Sequence, residues 1–328
     1  MQPKGGPRLL VTDREGALYL ERARIHVDGS RIVYHITDDD NRREYNVPHV
    51  NLAVLFMGQG TSITQDAMRL LGEEGVHLAV TGTGGTPLHM GSLTTYSGTA
   101  HFRAILPIYL DQRKSLLAAR SVMKDRTERM RRIGGNGAKR HLRQRDVGDL
   151  IRISNDFDMK LSGCIDNQQL LGFEGSFSKQ CYASFARMSG VNKAGDFRRT
   201  TGGSDLDKQP ATSDQVKLIN RLIDHGNYLC YGMAGAALWA LGIPPHMSIF
   251  HGKTRAGGLV FDLADAFKDS LVLPLAFASA LSSKDENPEK VFRARLINAF
   301  DDHKVLSEAI GTVDRLLIAG SAEIKPDA

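Results

Sequence analysis

The segment HGKTRAGGLVFDLAD, which ends at Asp265, concentrates side chains that can do chemistry. It contains the imidazole of His251 and two carboxylates three residues apart, those of Asp262 and Asp265. Imidazole nitrogen and carboxylate oxygen together form a ligand set that divalent cations accept. Lys253 and Arg255 lie between them, as expected of a site that handles phosphate. The segment therefore predicts a metal site acting on phosphate, although a lone histidine of this kind often has only a structural role.

Residues 259–273 carry apolar side chains three and four apart, which predicts one packed helix that continues to Pro274. Asp262, Asp265 and Asp269 have the spacing i, i+3, i+7 and so share a stripe beside the apolar one. Three like charges in line repel each other, and the helix macrodipole favours only an acid in the first turn. We therefore expect a positive group to face these aspartates, and a metal ion suits them best.

A further carboxylate, Glu174, falls on an apolar helical face, because it shares the spacing i, i+3, i+7 and i+11 with Phe177, Cys181 and Phe185. An unpaired buried carboxylate is costly, so Glu174 should be protonated, paired with a base or bound to a cation. An ordinary salt bridge satisfies this pattern equally well. With an aspartate and the neutral imidazole of His251, however, it would form a site that suits Mn²⁺ well and Mg²⁺ acceptably.

The basic residues of the chain are concentrated in one segment. Residues 120–145 hold ten Lys or Arg against two acidic residues, a local charge of +8 within a net charge of +5. The rest of the chain therefore carries −3. Such a cluster is either the solvated face of a helix or a surface for a polyanion.

Composition describes an ordinary folded chain, with 328 residues, 41% hydrophobic and 24% charged. No apolar run approaches the roughly 18 residues of a membrane span, and the first residues lack the apolar core of a signal peptide. We therefore expect a cytoplasmic protein without a membrane partner. Cys164, Cys181 and Cys230 lack the C-x-x-C spacing of zinc and redox sites, so they are expected to be reduced structural thiols.

Two glycine-rich segments resemble phosphate-binding loops only superficially. In Gly58-Gln59-Gly60 the third glycine of the dinucleotide fingerprint is replaced by Ile63. The GTGGT segment at residues 82–86 is not followed by the Lys-Ser/Thr of a phosphate loop. Both are predicted to be turn glycines.

Residues 8–90 are predicted to be rich in strands. Residues 17–27 and 31–37 alternate apolar and polar side chains and are joined by Asp28-Gly29-Ser30, which is typical of a hairpin. One short helix is predicted at 62–75, opened by a capping box formed by Ser62 and Gln65 and closed by glycine.

Residues 91–98, GSLTTYSG, are predicted to be a linker, and the periodicity after them is helical. The expected fold class is α+β. An N-terminal β-sheet domain, sandwich-like and with one small helix, occupies residues 1–92. A larger all-α C-terminal domain, which would carry the catalytic residues, occupies residues 93–328.

The order of Glu174 in a helix, then His251-Gly-Lys-Thr, then Asp262-x-x-Asp265 resembles the CRISPR-associated integrase, the metal-dependent nuclease of spacer acquisition. The resemblance spans nearly the whole chain, since that family also has an N-terminal β domain with a small helix and a helical C-terminal domain. It is strongest over residues 220–277, where the sequence looks most like members from subtype I-F systems.

The resemblance implies roles for individual residues. Glu174, His251 and Asp265 match the family's metal ligands, and Asp262 matches the neighbouring active-site acid, so these four are the expected catalytic residues. For His251, a role in proton transfer is an alternative to ligation. The residues expected to bind DNA are all basic: Lys253, Arg255, Lys268, Arg126, Arg129, Arg131, Arg132, Arg140 and Arg143.

The resemblance also implies a reaction. With Mn²⁺ or Mg²⁺, the 3′-hydroxyl of a short foreign DNA fragment would attack a phosphodiester at the repeat boundary of a CRISPR array, an adaptation step of antiviral defence in a prokaryotic cytoplasm. Water in place of the hydroxyl would make the same site an endonuclease. The implied partners are double-stranded DNA (fragment and repeat), a second copy of the chain joined through the N-terminal domain, and a companion adaptation subunit fused to a helicase-nuclease.

Two other functions fit the residues. A non-catalytic nucleic-acid-binding scaffold would have the basic cluster but a merely solvated acidic helix. A metal-dependent phosphohydrolase acting on small substrates would need the acidic site but not the basic cluster. Substitution of Asp265 would leave every activity of a scaffold unchanged, but would impair an integrase. Removal of the basic cluster would leave the turnover of a small-substrate phosphohydrolase unchanged, but would impair an integrase.

Overall fold

The computed structural model describes residues 14, 16–36, 43–81, 88–90, 98–142, 147–191, 197–200, 213–252, 257–281 and 287–322. Within these residues the strands come first and the long helices follow. The α+β fold class predicted from the sequence is therefore confirmed. Of the linker predicted at residues 91–98, only Gly98 is described, so the boundary between the two domains stays a prediction.

The strands form two four-stranded sheets. They are β1 (Gly16–Leu20), β2 (Ala23–Asp28), β3 (Arg31–Ile36), β4 (Glu44–Asn46), β5 (Leu52–Met57), β6 (Ser62–Ile63), β7 (His77–Val80) and β8 (Leu88–Met90). One sheet has the order β1-β5-β7-β8, parallel except for the last pair. The other has the order β4-β3-β2-β6, antiparallel except for the last pair.

The predicted hairpin is confirmed, since Asp28 pairs with Arg31 and Gly29 between them has a φ of +60°. Two details differ from the sequence prediction. Residues 17–27 form two strands in different sheets, because the chain turns at Arg22, whose φ is +50°. The small helix, α1 (Gln65–Glu73), is capped by Thr64, whose hydroxyl accepts from the Ala67 N–H. The predicted capping box is thus wrong, because Ser62 belongs to strand β6.

Strand β5 joins the two halves of the fold, because it is buried on both faces. Leu55 packs into the core between the two sheets, together with Leu71 from α1. Phe56, on the opposite face, packs into the helical core. There it meets Gly232, where an added Cβ would lie 2.2 Å from the Phe56 ring, so only glycine allows this approach.

The C-terminal region contains ten α-helices among its described residues. They are α2 (Ala100–Leu110), α3 (Gln112–Arg129), α4 (Gly135–His141), α5 (Gly148–Ser162), α6 (Asn167–Ser189), α7 (Asp214–Ala240), α8 (Gly258–Asp265), α9 (Lys268–Ser279), α10 (Pro288–Asp302) and α11 (Val305–Ser321). A π-helical turn, Met130–Gly134, joins α3 to α4. None of the described helices is both long and apolar enough to cross a membrane.

The single helix predicted after Gly257 is in fact two helices. Gly257 caps α8 with a φ of +71°, a backbone conformation that glycine adopts without strain. The chain then tightens, since Ala266 and Phe267 donate to the carbonyls three residues earlier, and α9 begins at Lys268. Pro274 lies inside α9 rather than at its end. As a result Asp269 belongs to a different helix from Asp262.

One histidine between the two halves of the fold should make stability depend on pH. His225 lies on α7, with its ring edge-on to Tyr19 of β1 and to Phe292 of α10. Burial, and next the charge of Arg293, lower the pKa of His225 to about 4. Below pH 6.5, the ordinary pKa of histidine, the unfolded chain therefore binds a proton at His225. The folded chain does not bind this proton until the pH approaches 4.

We expect the native protein to lose about 2 kcal/mol more stability between pH 7 and pH 5 than His225→Phe does. The stability is present above pH 6.5 and is lost as the pH falls toward 4. Urea unfolding of both proteins at the two pH values measures the difference, in which all other titrating groups cancel. Equal losses in the two proteins would show that His225 titrates normally.

Candidate active site

The predicted site residues meet at the end of α8. Asp262 and Asp265 come from α8, His251 from the loop before it, and Glu174 from the middle of α6. α3 contributes Arg126, and α9 contributes Lys268 and Asp269. The apolar face predicted for Glu174 is confirmed, because the Phe177, Cys181 and Phe185 side chains on it are buried.

Asp262 holds the loop that carries His251. Its Oδ2 accepts from the backbone N–H of Ile249 (2.7 Å) and Phe250 (3.1 Å) and from the Ser248 hydroxyl (3.0 Å). Its Oδ1 accepts from the backbone N–H of His251 (3.1 Å) and lies 2.7 Å from Nδ1 of the same residue. With five contacts to donors, this buried carboxylate positions its neighbours and has little capacity left for a metal.

His251 is oriented by this contact. Because an ionised carboxylate only accepts, the proton on the ring lies at Nδ1, and the other nitrogen, Nε2, is directed at Asp265, 3.5 Å from its Oδ2. Burial lowers the pKa of His251, but the hydrogen bond that its Nδ1–H donates to Asp262 and the charge of Asp265 outweigh burial and raise the pKa. Histidines that bind a metal through one ring nitrogen commonly donate the N–H of the other to a carboxylate, as His251 does to Asp262.

Asp265 is as deeply buried as Asp262, with 1% of its side chain exposed. Lys268 Nζ contacts its Oδ1, and Arg126 Nη1 lies 4.0 Å from its Oδ2. Neither oxygen has a hydrogen bond of good geometry. Burial raises the pKa of Asp265, whereas Lys268, Arg126 and His251 lower it, and the net direction is down. Asp265 is therefore an ionised carboxylate with unused acceptor capacity.

Arg126 belongs to the interior of the site, although its position in the basic segment predicts a surface residue. It lies on α3 with 2% of its side chain exposed, and its Nη1 lies 2.7 Å from Glu174 Oε1. Its Nη2 contacts Asp269 and donates to the Ser178 hydroxyl at 2.6 Å. Burial would lower the pKa of Arg126, but Asp269, Glu174 and Asp265 raise it well above its usual range.

The positive group expected to face the aspartates is therefore partly supplied by the protein. Arg126 lies on the buried side of α3, with Met123 and Met130 three and four residues away. This apolar spacing is the feature of the sequence that indicates a buried position for Arg126. Burial raises the pKa of Glu174, and Arg126 more than offsets this, so the pKa is lowered. Glu174 is thus paired with a base, one of the three states expected for it.

The donor set of the site fits Mn²⁺ or Mg²⁺. Nε2 of His251 lies 3.5 Å from Oδ2 of Asp265, and Nη1 of Arg126 lies 4.0 Å from that same oxygen and 2.7 Å from Oε1 of Glu174. These are nitrogen and oxygen ligands without a thiolate, which disfavours zinc. Among the described residues, however, no three such side chains already stand in ligand geometry. Oε1 of Glu174 instead contacts Arg126.

The residues expected to bind DNA fall into three groups. Arg126 and Arg129 are buried; Arg129 contacts Glu308 at 2.8 Å and Asp125 at 3.4 Å, so neither guanidinium faces a surface path. Both guanidinium groups are paired with carboxylates of this chain, and their expected role in DNA binding stays a prediction. Lys268 contacts Asp265 inside the site, and its pKa is raised because Asp265 and Asp269 outweigh burial.

The remaining basic candidates lie on the surface or outside the described residues. Arg131 is partly exposed and contacts Asp158 at 2.7 Å, whereas Arg132 and Arg140 are exposed. Lys253, Arg255 and Arg143 lie outside the described residues. The basic cluster thus divides between an internal ion network and a smaller exposed surface.

Comparison with known proteins identifies the family. Residues 18–298 match the family model described as CRISPR associated protein Cas1. The chain belongs to the Cas1 family. It is 33% identical over 319 residues to the "CRISPR-associated endonuclease Cas1" of Pectobacterium atrosepticum, covering 93% of each chain. It is 37% identical over 294 residues to the protein of the same name from Pseudomonas aeruginosa, covering 85% of this chain and 86% of that one.

Solved structures show the Cas1 fold over nearly the whole chain. The TtCas1–DNA complex matches with a TM-score of 0.66 and 24% identity, covering 92% of this chain and 91% of that one. A casposase bound to integration product matches with a TM-score of 0.63 and 16% identity, covering 91% of both. A Cas6-RT-Cas1–Cas2 complex matches with a TM-score of 0.55 and 16% identity, covering 90% of this chain and 36% of that one.

Proposed function

We propose that this chain is a metal-dependent DNA endonuclease and integrase of CRISPR adaptation. The observation that carries the proposal is the contact of His251 Nε2 with Asp265 at 3.5 Å, with Asp262 behind the imidazole and Glu174 linked to Asp265 through Arg126. Membership of the Cas1 family supports it, as do relatives named endonucleases and a fold shared with a casposase bound to integration product.

In this proposal Glu174, His251 and Asp265 hold Mn²⁺ or Mg²⁺. When bound, the ion lowers the pKa of the attacking hydroxyl and stabilises the charge that develops on the phosphate and the leaving oxygen. Asp262 keeps the proton of His251 on Nδ1, so that Nε2 is free to ligate. Lys268, beside Asp265, adds positive charge where a phosphate would approach.

The attacking group is the 3′-hydroxyl of a short DNA fragment, and the bond that breaks is a phosphodiester of the CRISPR repeat. The new phosphodiester joins fragment to repeat, and the displaced 3′-oxygen of the repeat takes a proton. With water as the attacking group, the same site hydrolyses DNA. Two fragment ends require two such events, which favours a homodimer with one site in each copy.

A companion adaptation subunit is the second proposed partner. The Cas1 fold also occurs in a complex that includes Cas2, which supports such a companion here. We propose, from the resemblance to subtype I-F sequences, that the companion is fused to a helicase-nuclease. Exposed cations of the basic segment, Arg132 and Arg140 among them, would contact the DNA backbone and make binding fall steeply with salt.

The test compares two forms of one labelled duplex fragment, with 3′-hydroxyl or with 3′-deoxy ends. The protein and its companion are mixed with a plasmid bearing repeats and with Mn²⁺ or Mg²⁺. We expect covalent transfer of label to the plasmid from the hydroxyl form only, and none in chelator. Transfer that is equal for both forms, or no transfer with either metal, would refute the integrase proposal.

A further inference from the structure

A neutral side chain, that of Ser178, lies against the acidic site, and the proposed reaction does not use it. Ser178 follows Glu174 by one turn of α6 and is partly buried. Its hydroxyl donates to Oε1 of Glu174 at 2.8 Å and accepts from Nη2 of Arg126 at 2.6 Å. Nη1 of Arg126 donates to the same Oε1 at 2.7 Å. The three side chains therefore form a closed ring of hydrogen bonds.

The hydroxyl proton of Ser178 has one available direction. A guanidinium only donates and an ionised carboxylate only accepts, so the single proton of the hydroxyl points to Glu174. In the interior of a helix, a serine hydroxyl often donates to the carbonyl four residues earlier, as those of Ser154 and Ser162 do here. Ser178 instead donates to the side chain four residues earlier, and so it holds the Glu174 carboxylate in one orientation.

This orientation leaves one oxygen of Glu174 available. Both donors of the ring bind Oε1, and among the described residues Oε2 accepts no hydrogen bond. Asp265 is in a similar state, because neither of its oxygens has a hydrogen bond of good geometry. Nη1 of Arg126 lies 2.7 Å from Oε1 of Glu174 and 4.0 Å from Oδ2 of Asp265, so the two carboxylates are neighbours. Both therefore offer a divalent cation oxygen atoms with unused acceptor capacity.

The two donors that hold Glu174 differ in charge. The guanidinium of Arg126 repels a cation near Glu174, whereas the hydroxyl of Ser178 carries no net charge. Carboxylates that bind metal ions are commonly held by such outer hydrogen bonds. We infer that Ser178 is a positioning residue, which holds Glu174 through Oε1 and leaves Oε2 for Mn²⁺ or Mg²⁺. The inference rests on the proposed function, because it takes Glu174 as a ligand of the ion.

The experiment measures Mn²⁺ binding to the full-length protein without DNA, by isothermal titration calorimetry. The heat that is absent in Glu174→Gln identifies binding at this site. We expect Ser178→Ala to bind Mn²⁺ there at least about tenfold more weakly, because loss of an outer partner commonly lowers metal affinity by about 10–100-fold. Ser178→Thr keeps the hydroxyl, and the partly buried position has room for its methyl group. Its affinity should stay within about threefold of the native value.

The matched control is Ser176→Ala, the same substitution two residues earlier on α6. Ser176 is exposed, and its hydroxyl oxygen accepts from the Gln180 side chain at 3.3 Å. Its Mn²⁺ affinity should change less than about twofold, because this hydroxyl does not hold a proposed ligand. Urea unfolding in chelator verifies that each variant is folded, so that a change in Mn²⁺ affinity reports on the site.

Two results would overturn the role of Ser178. Native Mn²⁺ affinity in Ser178→Ala would mean that Glu174 keeps its orientation through Arg126 alone, and that Ser178 serves only the ion pair. Equal weakening in Ser178→Ala and Ser178→Thr would mean that the hydroxyl is not the group that holds Glu174.

The rate of plasmid cleavage distinguishes a positioning residue from a ligand. Excess Mn²⁺ should restore cleavage by Ser178→Ala, which retains every proposed ligand, but not by Glu174→Gln, which lacks one. A Ser178→Ala rate that stays low at saturating Mn²⁺ would contradict a positioning role.

This inference and the proposed function fail separately. Strand transfer by the native protein together with unchanged Mn²⁺ affinity in Ser178→Ala would refute only the role of Ser178. Absence of Mn²⁺ binding in the native protein would also overturn that role, whereas the proposed function falls only if strand transfer is absent as well.

Discussion

Asp265→Asn is expected to lower metal-dependent cleavage and strand transfer of DNA by about a thousandfold or more. Asp265 is buried beside Nε2 of His251, and both of its oxygens have unused acceptor capacity. An amide keeps the size of the side chain but loses its charge and one acceptor. A metal ion contributes several kcal/mol to stabilising a phosphoryl transition state, and about 4 kcal/mol corresponds to about a thousandfold in rate.

The measurement is the initial rate of plasmid cleavage and of strand transfer, with Mn²⁺ or Mg²⁺ at saturating concentration. Glu174→Gln and His251→Gln should show losses of similar size, because each removes one of the three proposed ligands. Asp156→Asn is the matched control, since Asp156 forms only an exposed pair with Arg152 at 3.6 Å. Its rates should equal those of the native protein.

Asp262→Asn should differ from these three in kind. Its carboxylate accepts hydrogen bonds from the loop at residues 248–251, so the variant loosens the loop and no longer fixes the ring proton of His251 at Nδ1.

A rate loss in Asp265→Asn with native DNA binding in chelator would support a catalytic role. Rates within about tenfold of the native protein would instead favour a non-catalytic scaffold or a role for Asp265 in stability alone.

The acidic residues of the site could be predicted from sequence because burial leaves a local pattern. Glu174 stands on an apolar helical face, and His251 and Asp265 belong to one short segment. Their convergence could not be derived from spacing, since 77 residues separate Glu174 from His251. It was the order of the motifs, through the family resemblance, that predicted it.

The partners of those residues cannot be predicted from the sequence, for a physical reason. Net charge over a window does not distinguish a cation in solvent from one in the core, so Arg126 and Arg129 were counted with the exposed arginines. The break between α8 and α9 was missed because a tightened turn keeps the apolar spacing almost unchanged. The first error concerns contacts between distant segments and the second a local turn, and both affect how the aspartates are neutralised.

Arg126→Met is expected to cost about 3–5 kcal/mol of stability in the absence of divalent metal. The guanidinium of Arg126 contacts Glu174 and Asp269 and lies 4.0 Å from Asp265, and it is itself buried. Removing one partner of a buried ion network leaves uncompensated charge, here three carboxylates facing chiefly Lys268. A domain with the usual stability, about 5–15 kcal/mol, would remain folded after this loss. Urea unfolding at pH 7 in chelator measures it.

The response of this variant to Mn²⁺ distinguishes a metal site from an ordinary ion network. If Glu174 and Asp265 are metal ligands, the ion replaces the positive charge of Arg126 in this variant. It also no longer has to compete with the Arg126 guanidinium for Glu174. Mn²⁺ should therefore stabilise Arg126→Met more than the native protein, by an amount that grows with the logarithm of its concentration. Arg152→Met, which removes an exposed arginine paired on α5, should cost less than about 1 kcal/mol and show no added response. A destabilised Arg126→Met protein that Mn²⁺ does not restore would mean that Arg126 serves only the folded core, and that Glu174 and Asp265 do not bind the ion together.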